Sequence, residues 1–171
     1  GQNTGLHYLD TRENNIIRYD AEENNPRKLP TNSVSAIYVD DRGMTWLGTF
    51  NRGVYVIDNH SKKFESFQRS DFISAGLTGE NVKGLAEDKD GNIWIAIEGG
   101  GLGVLDASRN EIRYDKKIND KIGTRYLSSL LFDRRGDLWI GTLGAGVFRL
   151  NVKSGELQNY KVESKGFGDN K

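Results

Sequence analysis

The chain has 171 residues with 24 Lys plus Arg against 24 Asp plus Glu, a formal net charge of zero, and this balance offers no basic face for a nucleic acid. It has no cysteine, which excludes disulfides, thiol chemistry and cysteinyl metal sites. No apolar run approaches the ~20 residues of a spanning helix and no signal peptide is visible, so no membrane contact is expected of this segment.

In chain order, Gly1 to Asp10 matches Phe50 to Asp58 once Gly5 is set on Gly53. Ile16-Ile17-Arg18-Tyr19 then matches Glu111-Ile112-Arg113-Tyr114. The chain is therefore expected to open on a third strand, in a half blade over residues 1–20. Residues 20–33 read as a polar connection with Pro26 and Pro30. Three complete units follow, at 32–67, 80–115 and 125–160. They are joined by residues 68–81 and 115–126. Residues 161–171 read as a linker to a next blade, because Gly166-Phe167-Gly168-Asp169-Asn170 resembles Leu77-Thr78-Gly79-Glu80-Asn81 just before a first strand.

Within a unit, Val34 to Val39 is a mostly apolar run rich in β-branched and aromatic residues, ended by Asp40-Asp41-Arg42-Gly43. An Asp opening a turn bonds the backbone ahead of it, and a Gly three residues later takes the left-handed conformation that returns the chain as a hairpin. Trp46 to Thr49, Gly53 to Asp58 and Phe64 to Phe67 supply three more strands, the last two separated by the turn Asn59 to Lys63. Asp40, Asp88 and Asp133 align across the units, as do Gly43, Gly91 and Gly136, and Gly53, Gly101 and Gly146. Trp46, Trp94 and Trp139 also align and fall 48 and then 45 residues apart, a period that suits four-stranded propeller blades. The fold class expected is all-β, an open, partial β-propeller of about three and a half blades, short of the about 4–8 that close a ring. Such an arc should bind the remaining blades of a longer protein or self-associate as a dimer.

Asp-x-x-Gly-x-x-Trp-(Ile/Leu)-(Gly/Ala)-(Thr/Ile), preceded by Asn and Val and followed four residues on by Gly, runs from Asn32 to Gly53 and from Asn81 to Gly101. Leu127 to Gly146 keeps that core without the leading Asn. The pattern resembles the two-component-regulator propeller repeat, and the likeness covers nearly the whole chain. It implies a periplasmic sensor region of a hybrid histidine kinase that controls polysaccharide use. No kinase motif stands in this sequence, so the resemblance implies no enzyme here.

Motifs that imitate chemistry have structural readings. Asp40-Asp41 and Asp88/Asp90 recur at one turn, whereas an acid/base pair is needed once. Asp88 to Asn92 lacks the Gly position and bidentate Glu of a calcium loop. The glycine runs at 99–103 and 141–146 lie between two strands, unlike a phosphate loop. His7 and His60 stand singly, so no metal is expected, nor any cofactor. The tryptophans read as packing between blades.

The informative positions are those where the units differ. The loop between second and third strands holds Phe50 and Arg52 in one unit and Glu98 in the next. At the lead-in to the third unit, Arg125 and Tyr126 stand where the others have Ser33 and Asn81. On propellers these segments share the face around the central channel. Phe50, Arg52, Glu98, Arg125 and Tyr126 thus form a candidate carbohydrate site. A protein-interaction platform without a small ligand is the alternative, and a propeller lyase or hydrolase is disfavoured because only Glu98 of this set could act in catalysis.

Overall fold

The computed structural model describes residues 5–22, 25, 28–29, 31–58, 63–79 and 81–161. His60, most of the 59–63 turn, both prolines and the proposed linker beyond residue 161 lie outside them. Fourteen strands are described, in four sheets. A two-stranded sheet comes first: β1 (Leu6–Asp10) and β2 (Asn15–Tyr19). The next blade holds β3 (Val34–Val39), β4 (Thr45–Thr49), β5 (Val54–Asp58) and β6 (Lys63–Phe67). A central blade has β7 (Asn81–Glu87), β8 (Ile93–Glu98), β9 (Gly101–Leu105) and the two-residue β10 (Ile112–Arg113). The last has β11 (Leu127–Phe132), β12 (Asp137–Thr142), β13 (Val147–Asn151) and β14 (Glu156–Tyr160). In each sheet consecutive strands pair antiparallel, and β7 packs between β3 and β11.

β1 and β2 resemble the third and fourth strands of a complete blade. A Cβ at Gly5 would collide with the Tyr19 carbonyl, as at Gly53 with Phe67 and at Gly146 with Tyr160. All three glycines have positive φ, where a side chain is strained. The fourth strands align one residue differently from the sequence match. Ile16 faces Leu9 as Ile112 faces Leu105, so Ile16, not Ile17, is the counterpart of Ile112. Asn81 directly precedes Val82 and pairs with Glu98, which makes it the counterpart of Ser33 rather than of Asn32.

The repeated Asp does more than turn the chain. Asp40 Oδ1 accepts from the Arg42 and Met44 amides, and its Oδ2 accepts from Trp46 Nε1 at 2.9 Å. Asp88 and Asp133 bond Trp94 and Trp139 in the same way, at 2.9 and 3.0 Å. One carboxylate therefore fixes the hairpin and satisfies a half-buried or buried indole donor, which is why the two residues recur at a fixed spacing.

Hydrophobic clusters lie between blades. Val54 and Val56 of β5 join Trp46 and the central blade's Leu85, Ile93 and Ile95. Tyr55 and Ile57, on the other side of β5, pack with Leu6 and Tyr19 of the two-stranded sheet. Trp94, Ala96 and Leu102 pack with Leu138, Ile140 and Phe148. Strands buried on both sides need apolar residues at every position, hence the unbroken apolar runs.

Two helices occupy the stretches that join the blades, to which the sequence reading gave no element: α1 (Arg69–Ser74) and α2 (Lys116–Ile122). Each seats an apolar residue in a cluster, Phe72 and Ile122. Asp115 caps α2 by accepting from the Ile118 amide at 3.0 Å, and Gly123 ends it with φ of 69°. At six and seven residues they are too short for a helical period to show. α2 also completes the central blade. Buried Asn119 accepts from Leu102 N–H at 2.8 Å and donates to the Leu102 carbonyl at 2.9 Å. One side-chain amide thus does what a longer β10 would have done for β9.

Candidate functional site

In each complete blade the loop after the second strand packs against the lead-in to the first. The Phe50 amide donates to the Ser33 carbonyl at 3.2 Å, and the Leu143 amide to the Tyr126 carbonyl at 2.9 Å. Glu98 holds this position in the central blade, where its loop also reaches the following blade. The Gly99 amide donates to the Arg125 carbonyl at 2.8 Å, and Glu98 forms an antiparallel bridge with Tyr126. Backbone geometry therefore gathers three of the five candidate residues. Phe50, which is 53% exposed, and Arg52 sit on the corresponding loop one blade away.

Around this junction, Glu98 pairs with Lys83 Nζ at 3.3 Å and accepts from Asn81 Nδ2 at 2.9 Å. Asn81 is 8% exposed, and its Oδ1 is a buried acceptor with no hydrogen-bond partner among the described residues. Tyr126 is 58% exposed and presents an aromatic surface beside this polar group. Arg125 Nη1 donates to Thr78 Oγ1 at 3.1 Å and Nη2 to the Tyr114 hydroxyl at 3.4 Å, with its guanidinium carbon 5.8 Å from the Tyr114 ring centroid.

Sequence reasoning missed Lys83, Thr78 and Tyr114, and read Asn81 only as the leading Asn of the repeat and as a differing lead-in position. Lys83 was detectable, since it stands where Ser35 and Ser128 stand, at a β-bulge found in all three first strands. Tyr114 gave no such signal, because the fourth-strand match was one residue out of register.

A second hollow, of about 980 Å³, opens on the flank of the central blade. Trp94, Val104, Tyr114, Asp115 and Ile118 line part of it. It has a local cause: Phe67 stacks on Trp46 and Tyr160 on Trp139, but their counterpart in the central blade is Asp115, the cap of α2. Trp94 instead meets the edge of Phe132 in the next blade, with centroids 6.0 Å apart.

Residues 28–51, 76–99 and 121–144 match the Two component regulator propeller family. No curated protein matches the chain. Among solved structures, the extracellular domain of a hybrid two component system from B. thetaiotaomicron is similar with a TM-score of 0.75 and 24% identity, over 92% of this chain and 20% of that one. A second such domain from the same organism gives 0.75 and 24%, over 95% and 22%. An auxiliary nutrient binding protein from Bacteroides ovatus gives 0.65 and 12%, over 92% and 36%. The chain thus spans between 20% and 36% of the length of these structures, and the likeness concerns the fold. With the Asp-Trp bond repeated in each complete blade and the family pattern matched three times, residues 28–51, 76–99 and 121–144 are two-component-regulator propeller repeats.

Proposed function

We propose that this chain belongs to the periplasmic sensing region of a two-component system. Its ligand is an oligosaccharide released from a polysaccharide, held where Glu98, Arg125 and Tyr126 meet. The repeat family supports the regulatory setting. The observation that carries the site is the convergence of differing positions: Glu98, Arg125 and Tyr126 differ from their counterparts in the other blades, yet they meet at one blade junction beside Asn81, whose buried Oδ1 has no hydrogen-bond partner among the described residues. Tyr126 offers the flat apolar surface that the C–H face of a pyranose covers. The chain acts by binding, not catalysis, since Glu98 is engaged by Lys83 and Asn81. Phe50 and Arg52 would touch only a ligand long enough to cross from blade to blade. Calorimetry with a panel of polysaccharide fragments tests this. Binding that weakens about tenfold or more in Glu98→Ala or Tyr126→Ala is the result expected, and binding unaffected by either substitution would place the site elsewhere.

A further inference from the structure

We infer that the ligand is anionic, and that Arg125, set in place by Tyr114 and Thr78, pairs with its carboxylate or sulfate; this rests on reading the face as a saccharide site. Arg109 and Arg149 each pair with a carboxylate of this chain. Arg125 has only neutral partners, the Thr78 hydroxyl and the Tyr114 ring and hydroxyl, and no carboxylate partner among the described residues. Those two bonds leave most of its five donors free, and they hold the guanidinium plane before any ligand arrives. A planar fork fixed in this way suits bidentate pairing with an oxyanion.

The surroundings favour the same charge. Glu98, the acid of the junction, is offset by Lys83. Asp120, the acid of the depression beside Arg125, is bonded by Lys116 at 2.6 Å. That depression, of about 410 Å³, is bounded by Tyr114, Asn119, Gly123 and Thr124 as well as Arg125 and Asp120. It has room for a charged substituent projecting from a sugar ring at the Tyr126 side.

The test is calorimetry with three matched oligosaccharides, one bearing uronate carboxylates, one sulfated and one neutral because its carboxylates have been reduced to alcohols. One acidic form should bind at least about tenfold more tightly than the neutral form, the value of a charge-assisted hydrogen bond. The preference should vanish in Arg125→Ala, shrink in Arg125→Lys and weaken with added salt. The two acidic arms tell carboxylate from sulfate. Equal binding of acidic and neutral forms, or an acidic preference that survives in Arg125→Ala, would overturn the inference while leaving the saccharide site standing. Failure of all three oligosaccharides to bind would overturn both. Arg125 is exposed, so an unchanged melting temperature in the Ala variant is expected and would separate lost recognition from lost folding.

Discussion

The guanidinium of Arg109 lies 4.6 Å from the ring centroid of Trp46, reaching from the β9–β10 turn of the central blade onto the tryptophan of the preceding one. Its Nη2 is 3.7 Å from Asp40 Oδ2 and 3.8 Å from Glu87 Oε1, and Nη1 donates to the Gly91 carbonyl at 2.6 Å. Burial pulls its pKa down, while Glu87 and Asp40 oppose that. Arg109→Ala should destabilise the protein by about 2–3 kcal/mol, from the lost stacking and the charge-assisted bonds. Arg109 also has φ of 63°, so Arg109→Gly should cost about 0.5–1 kcal/mol less than Arg109→Ala. Urea denaturation of both variants checks the pair, and equal losses would remove the strain argument.

Asp40 is 5% exposed and Trp46 is 1% exposed. Asp40→Ala should cost about 2–4 kcal/mol, because it strands a buried indole N–H together with two turn amides. A smaller loss is expected from Asp133→Ala, whose partner Trp139 is only half-buried. A loss from Asp133→Ala equal to that from Asp40→Ala would show that the turn, not the indole, decides the effect.

The same carboxylates predict how stability varies with acid. Asp133 lies below its ordinary value of 3.8, chiefly through the Trp139 indole and then the Asp137 amide. Asp106 is lowered to about 2, first by the Ser108 hydroxyl and then by the Glu111 amide. A depressed pKa stabilises fully above the unfolded value and is lost as pH falls through the folded one. The urea midpoint should therefore drop between about pH 4 and 2, and less steeply in Asp133→Asn. A midpoint that is flat over that range would count against these bonds.

Asn119 stands in for strand pairing, so Asn119→Ala should leave the Leu102 amide and carbonyl unpaired, at a cost of about 2–4 kcal/mol. Hydrogen exchange at Leu102 should accelerate selectively, with Val104, which is paired with Arg113 of β10, less affected. A uniform change along β9 would point to general loosening instead.

Tyr8 and Leu9 of β1 are 53% and 54% exposed, whereas their counterparts Val56 and Ile57 in a complete blade are 2% and 4% exposed. A strand edge with such apolar neighbours is a template for pairing. The chain should therefore associate with further blades or with a second copy, and sedimentation should show mass rising with concentration. Tyr8→Lys with Leu9→Lys should suppress that rise, and a monomer at tens of micromolar without these changes would refute it.

The blades were legible because their shared residues obey local rules. The Asp-x-x-Gly turn and the positive-φ glycine before each third strand are set by a few neighbouring atoms, and they recur. Asp-Trp pairing repeated just as visibly, but a turn already accounted for the Asp and packing for the Trp, so the bond joining them went unread. The helices escaped because one cap and one buried residue each give no period. Glu98, Arg125 and Tyr126 could be picked as differences, yet nothing local says that Arg125 reaches Tyr114. That contact depends on β10 stopping after Arg113, a termination set by the Asp115 cap.

Because every hydrophobic cluster among the described residues is shared by two neighbouring sheets, none of the described blades holds a core of its own. Stability then adds up seam by seam, as in other one-dimensional arrays, and a defect in one seam is felt mainly by the two units that it joins. Duplicating a unit adds a seam without disturbing the others, so such a chain can lengthen by copying while each copy's exposed loop residues drift independently toward new chemistry.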